Sequence, residues 1–326
     1  MTLATRETEL TAPVALCDGR GRLRPEAIGF SRVPLHDPAI PGRWGRRKRW
    51  HHYCVTTEHH AVTLTLADLD YLSLVGLQVV DLARGTRTER VAARPGGLPL
   101  PAGLHGSLSL RMGGITVALD DRPAFARLSA RARGVELDLE IERPAGHETL
   151  SVVVPWDART FQLTSKHTAL PARGHATVGG RRVALEHAFG CLDFGRGVWP
   201  FRTRWNWGSA AGLVGGRRVG FNLGGRWTDG TGSTENGLVV EGRLQKLSEP
   251  VRFLHDRADL LRPWRIESAS GSVSLGFRPA VLQRVRVPLG LLGASLDLAF
   301  GHFTGRVLDL EVPPLSGWAE DFRARW

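Results

Sequence analysis

Lysine is nearly missing from this chain: of its 43 basic residues only Lys48, Lys166 and Lys246 are not arginine. A ratio so lopsided reads as a bias of composition, not as a set of chosen phosphate contacts, and most of the arginines are scattered. The formal net charge of +11 is therefore discounted as a nucleic-acid footprint, and no nucleic-acid partner is expected. Cysteine is as scarce. Cys17, Cys54 and Cys191 are three, far apart, and give neither a disulfide framework nor the paired spacing of a zinc site. A reducing, cytoplasmic setting fits that usage. Long apolar runs are lacking too. The best, around Val287 to Phe300, is broken by Pro288 and Asp297 and cannot make a membrane-spanning helix. The opening MTLATRETELTAP has acidic residues where a signal peptide has its apolar core. Nucleotide and hydrolase signatures are also missing: no GxGxxG after a strand, no P-loop, no GxSxG, no HExxH, no CxxC. No cofactor and no metal is expected.

What is present is β-patterning. With 326 residues, 42% apolar and 23% charged, the chain can hold one large all-β domain or two of moderate size. Residues 1–49 read as irregular. From Trp50 onward short apolar or alternating runs recur, as in Ala61 to Leu66, Tyr71 to Leu82, Ser107 to Met112 and Ile115 to Leu119. Turn residues separate them, the pattern of a sandwich or barrel. Gly113-Gly114 and Gly179-Gly180 are placed to form tight hairpin turns. Pro144 and Gly146 interrupt the pattern near Arg143 to Glu148, suggesting a first β-half at 50–145 and a second at 146–326. Trp318 and Phe322, spaced i, i+4, predict a short helix over Leu315 to Trp326.

The chemistry concentrates between Phe189 and Gly225, FGCLDFGRGVWPFRTRWNWGSAAGLVGGRRVGFNLGG. Strand alternation puts Arg202, Arg204 and Asn206 on one face, with Thr203, Trp205 and Trp207 on the other. Asn222 points away from Phe221 and Leu223. The expected site is a cavity lined by Trp199, Trp205 and Trp207. Arg202, Arg204, Asn206, Asn222 and Asn236 would hold the polar end of its ligand. Buried guanidinium groups need partners, and Asp193, then Glu235, are the nearest carboxylates. Either could instead be a proton donor, since a carboxyl in an apolar pocket has a raised pKa. A structural polar network that fixes strand register accounts for the same residues. His51, His52, His59 and His60 flank a turn, but neighbours on a strand face opposite ways, so a metal site there is weak. The basic run Arg43 to Arg49 reads as a solvated loop, or as a contact for acidic surfaces or lipid headgroups.

The strings LCDGRGRLRPEAIGFSRVPLHDP, GRWGRRKRW, FGCLDFGRGVWPFRTRWNWGSAAG, FGHFTGRV and WAEDFRARW together resemble an uncharacterised bacterial family, catalogued as domain of unknown function 2804. The resemblance covers essentially the whole chain, and that family has no assigned activity. More loosely, the texture and the central Trp-Gly motif resemble the lipocalin-like, two-part barrels related to hydroxyneurosporene synthase, a carotenoid hydratase. That resemblance implies a fold enclosing hydrophobic small molecules, and no catalytic residue is carried over from it. The fold expected is all-β: a lipocalin-like barrel, or two packed antiparallel barrel or sandwich halves, with a C-terminal helix. The leading functional reading is a cytoplasmic barrel protein that binds a lipid- or terpenoid-like molecule. The alternatives are a cofactor-independent hydratase, isomerase or cyclase using a buried carboxylic acid, and an interaction module using residues 43–49.

Overall fold

In the computed structural model, residues 7–289 and 292–326 are described. The first six residues of the irregular N-terminal segment lie outside them, as do Gly290 and Leu291 in the apolar stretch from Val287 to Phe300. Among the described residues there is no α-helix and only a 3-10 turn at Pro25–Ala27.

The remaining regular structure is strand, nearly all of it antiparallel, joined by turns and irregular segments. The first sheet has twelve strands, ten of them on one path of antiparallel neighbours that curls until its ends meet, so that Thr86–Pro95 touches Gly106–Met112 and Ile115–Arg122. Arg47–Thr56 pairs with Arg181–Val198, and Arg181–Val198 with Phe161–Val178. Leu150–Pro155 and Phe30–Ser31 attach beside the first residues of Phe161–Val178. The second sheet has nine strands in a half-barrel, joined where Arg202–Val214 pairs with Leu310–Arg325. The change of sheet falls at Trp199–Phe201. The strands on either side of 143–148 belong to one sheet.

Sequence alternation sets which face is buried. In Val135–Glu142 the residues Val135, Leu137, Leu139 and Ile141 point into the first barrel, and the residues between them face solvent or its margin. In Phe161–Val178 the first ten residues are all buried, as are the last nine of Arg181–Val198. One face of these segments meets the barrel core, and the other meets the second sheet. Each sheet has its own apolar core, and a third cluster containing Cys54, Cys191, Trp207, Phe300 and Trp318 lies between them. The two sheets therefore pack back to back.

The hairpin expectations hold. Gly113-Gly114 and Gly179-Gly180 take positive φ values at turns between paired strands. The C-terminal helix does not form: Leu310–Arg325 is a strand. Residues four apart share a face in a strand as well as in a helix, so the Trp318/Phe322 spacing did not discriminate. Strands of 16 to 18 residues such as Phe161–Val178 bend where the register shifts, between His167 and Leu170 and between Ala172 and Gly174, as bulges do in barrels. Gly174 has φ +143, and a Cβ there would lie 2.1 Å from the Asp138 carbonyl oxygen. Gly174→Ala is expected to cost about 1–3 kcal/mol, read as a lower urea midpoint with an unchanged m-value.

Candidate functional site

At the back-to-back contact, Thr164 and Lys166 come from Phe161–Val178, Cys191 and Asp193 from Arg181–Val198, and Trp50 and His52 from Arg47–Thr56. Each lies two residues from its companion, so all six share the face turned to the second sheet. The second sheet answers with Trp205, Trp207, Asn222, Trp318 and Glu320, and the turn before Asn236–Val240 adds Glu235.

Lys166 and Asp193 are cross-strand partners, and their ion pair is 2.9 Å long with Lys166 only 4% exposed. Asp193 Oδ2 also accepts from Trp50 Nε1 at 3.0 Å, and Oδ1 from Thr164 Oγ1 at 2.9 Å. Gly195 makes the Trp50 bond possible: a Cβ there would stand 2.1 Å from the indole ring. The Lys166 ammonium sits 4.1 Å over the Trp207 ring, a favourable cation–π arrangement. Burial works to lower the Lys166 pKa, but Asp193 and Glu235 outweigh it and raise it. Asp193 is thus a locked anchor.

Glu235 is different. Burial raises its pKa to about 7, helped by Asp193 and opposed by Lys166 and a Trp227 hydrogen bond. Its Oε1 has no hydrogen-bond partner. Its backbone carbonyl is held by Asn222 Nδ2 at 2.6 Å, and Asn222 Oδ1 accepts from Trp207 Nε1 at 2.7 Å. Gly224 lies under the carboxyl, where a Cβ would meet Glu235 Oε2 at 3.0 Å. Glu320 is also raised to about 7 by burial, with Trp205 Nε1 donating to its Oε1 at 2.5 Å. Two carboxylic acids near neutrality thus flank one fixed ion pair. His52, lowered to about 4 by burial, packs on Trp207 and Trp318 and bonds Thr65 Oγ1 at 2.8 Å.

The expected site residues divide. Trp199, Trp205 and Trp207 are at the junction. Trp199 contacts Trp50, Trp205, Trp227 and Trp326 edge-on, with ring centroids 5.1–5.8 Å apart. Asn222 joins Trp207. Asn206 is buried on the opposite face and donates to the Glu320 carbonyl at 3.0 Å. Asn236 bridges the Gly224 N–H and the Glu249 carbonyl. Arg202 and Arg204 are exposed, a correction to their expected burial beside the tryptophans. Alternation puts them across the sheet from the indoles, so one ligand cannot touch both sets. His51 and His52 do face opposite ways: His51 turns into the first barrel, 2.9 Å from Arg196 Nη2. The basic run is not a free loop. Arg47 pairs with Asp70 at 2.8 Å, Arg49 with Asp68 at 2.5 Å, and Lys48 is buried.

Lys166, Glu320 and Trp50 escaped sequence reasoning. The sequence signal for Lys166 is the rarity of lysine; in the structure all three lysine side chains are buried, each over an aromatic ring, Lys166 on Trp207, Lys48 on Tyr71 and Trp326 and Lys246 on Phe30.

A nearly closed barrel backed onto a half-barrel, with a buried polar centre between them, defines a lipocalin-like, two-part β-protein. The chain belongs to the family described as Domain of unknown function (DUF2804), which matches residues 7–326. No curated protein matches it. Among solved structures it is similar to CghA with Sch210972, at 15% identity and TM-score 0.53, over 86% of this chain and 89% of that one. It is also similar to kievitone hydratase from Nectria haematococca, at 13% identity and TM-score 0.50, over 86% and 88%. A putative AttH from Nitrosomonas europaea matches at 12% identity and TM-score 0.50, over 85% and 92%. At these identities the likeness is one of fold.

Lys166→Met leaves Asp193 charged and buried without its counter-ion, and should cost about 3–5 kcal/mol in urea unfolding. Lys166→Met with Asp193→Asn should recover part of that loss. The two glutamic acids give a pH signature. In the folded protein Glu235 keeps its proton up to about 7, whereas its ordinary value is 4.5. Between these values the folded state binds more protons than the unfolded chain, so stability falls as pH rises through that window. Glu235→Gln should therefore gain in melting temperature relative to the parent between about pH 5 and about pH 8.

Proposed function

We propose that the junction between the sheets receives a small, largely hydrophobic molecule, lipid- or terpenoid-like, and that Glu235 delivers a proton to it in a hydration, isomerisation or cyclisation. The observation that carries this reading is the contrast between the two carboxyls. Asp193 spends its oxygens on Lys166, Trp50 and Thr164, while Glu235 is buried, near-neutral at pH 7 and has an oxygen with no partner. A carboxylic acid poised near the working pH is suited to general acid catalysis. The neighbouring ammonium of Lys166 favours the carboxylate left after proton transfer, so the acid is neither too weak to give its proton nor too strong to regain it. The indoles of Trp205, Trp207 and Trp227 offer polarisable walls to an alkene or a developing cation. The fold likeness to a kievitone hydratase agrees with chemistry of this class. Binding without reaction is the second reading. It draws on the same tryptophans and on the pairing of Trp207 with Asn222, which would then serve recognition alone.

The test is proton transfer itself. A panel of isoprenoid and fatty alkenes is incubated with the protein in D2O, and deuterium uptake or product is read by mass spectrometry. Glu235→Gln should lower the rate by about 10²–10⁴-fold while quenching of tryptophan fluorescence by the same compound persists. Turnover undiminished in Glu235→Gln would remove the assignment. Quenching with no turnover in the parent protein would leave the binding reading.

A further inference from the structure

We propose that the face of the second sheet turned away from the tryptophans carries a site for a small phosphate-bearing anion, gripped by Arg204, Arg226, Arg257 and Arg323. A cavity of about 310 Å3 is lined by these four arginines and Asp229. A second, of about 230 Å3, shares Arg257 and Arg323 and reaches His255 and Asp321.

The charges do not balance among themselves. Asp321 is buried, and one carboxylate serves Arg226 at 3.3 Å, Arg323 at 3.5 Å, Arg257 at 3.8 Å and His255 at 3.2 Å. Arg204 has no ion-pair partner among the described residues. It lies directly across the strand pair from Arg323, where like charges repel. Four guanidinium groups against Asp229 and Asp321 leave two positive charges uncompensated. A phosphate group at pH 7 carries about −1.5 to −2, and arginine forks grip its oxygens in pairs.

Two further features mark a built site. In the adjoining second cavity the His255 side chain is 2% exposed and stacked on Trp264 at 4.2 Å, yet neither of its ring nitrogens makes a hydrogen bond, although Nε2 lies 3.2 Å from Asp321 Oδ2. Such a buried, unmatched polar group calls for a ligand or water. Arg226 is held at φ +72, a left-handed backbone that a non-glycine residue adopts only under local constraint. Burial and the neighbouring Arg257, Arg323 and Arg204 lower the Arg226 pKa while Asp321 opposes them, so an arriving anion relieves mutual repulsion. The cavity exceeds what one phosphate fills, leaving room for a second phosphate or a small organic remainder.

Titration calorimetry with inorganic pyrophosphate, in about 0.15 M chloride to screen loose contacts, tests the site. Saturable one-to-one binding is expected, at least tenfold weaker in Arg204→Gln/Arg257→Gln and tighter in Asp229→Asn. Both arginines are exposed, so the double variant should fold, and circular dichroism checks it. Arg204→Gln alone is the second variant, expected to weaken binding in the same direction. Glu235→Gln should bind pyrophosphate as the parent does, because that carboxyl lies at the other face. Absence of saturation, equal affinity in the double variant, or citrate binding as tightly as pyrophosphate would overturn the proposal.

Discussion

One ion pair organises the junction between the sheets. Lys166 and Asp193 face each other across adjacent strands of the first barrel, on the side turned to the second sheet. Two charges taken out of water are costly unless each is matched and hydrogen-bonded. Here the matching is complete on the aspartate side, through Trp50 and Thr164, and aromatic on the lysine side, through Trp207. Because Lys166 is the fixed cation of this centre and Asp193 neutralises it, a further negative charge nearby finds no free counter-ion. Burial holds the protons on Glu235 and Glu320 up to about 7, Asp193 adds to that effect, and Lys166, already paired, only partly opposes it.

The packing depends on the absence of side chains at chosen points. Gly195 and Gly224 leave room for the Trp50 ring and the Glu235 carboxyl. Gly208 does the same on the other face of the second sheet, where a Cβ would press on Phe253 and Phe303. Glycine in a strand interior weakens it locally and marks close approach of a neighbouring group. The result is an aromatic layer between the sheets with hydrogen-bonded polar atoms set into it.

Much of the fold could be read from the residues. Alternation and paired glycines gave the strands and the tight hairpins, since both are local signals. The full length of a strand such as Phe161–Val178 is not legible in the same way, because bulges interrupt the period without ending the strand. Over Leu315 to Trp326 no signal separates a helical spacing from a strand spacing, and the strand forms. Asp193 and Glu235 were legible as the carboxylates near the tryptophans. What distinguishes them is the register that sets Lys166 opposite Asp193, a non-local fact carried by no short motif. Arg202 and Arg204 were assigned to the same ligand as the indoles although alternation had already separated them. The rarity of lysine holds a second clue beyond compositional bias, since all three lysine side chains are buried.

That clue has a practical side. In a chain with 43 cationic side chains, every primary amine borne by a side chain is folded under a ring: Lys48 is 2% and Lys166 4% exposed, and the Lys246 side chain 5%. Acylating and carbamylating agents, amine-coupled sensor surfaces and lysine cross-linkers would find almost no handle on the native molecule beyond its amino terminus. Denaturing it would suddenly reveal three. The count of modified amines is thus a built-in gauge of whether the two sheets remain together.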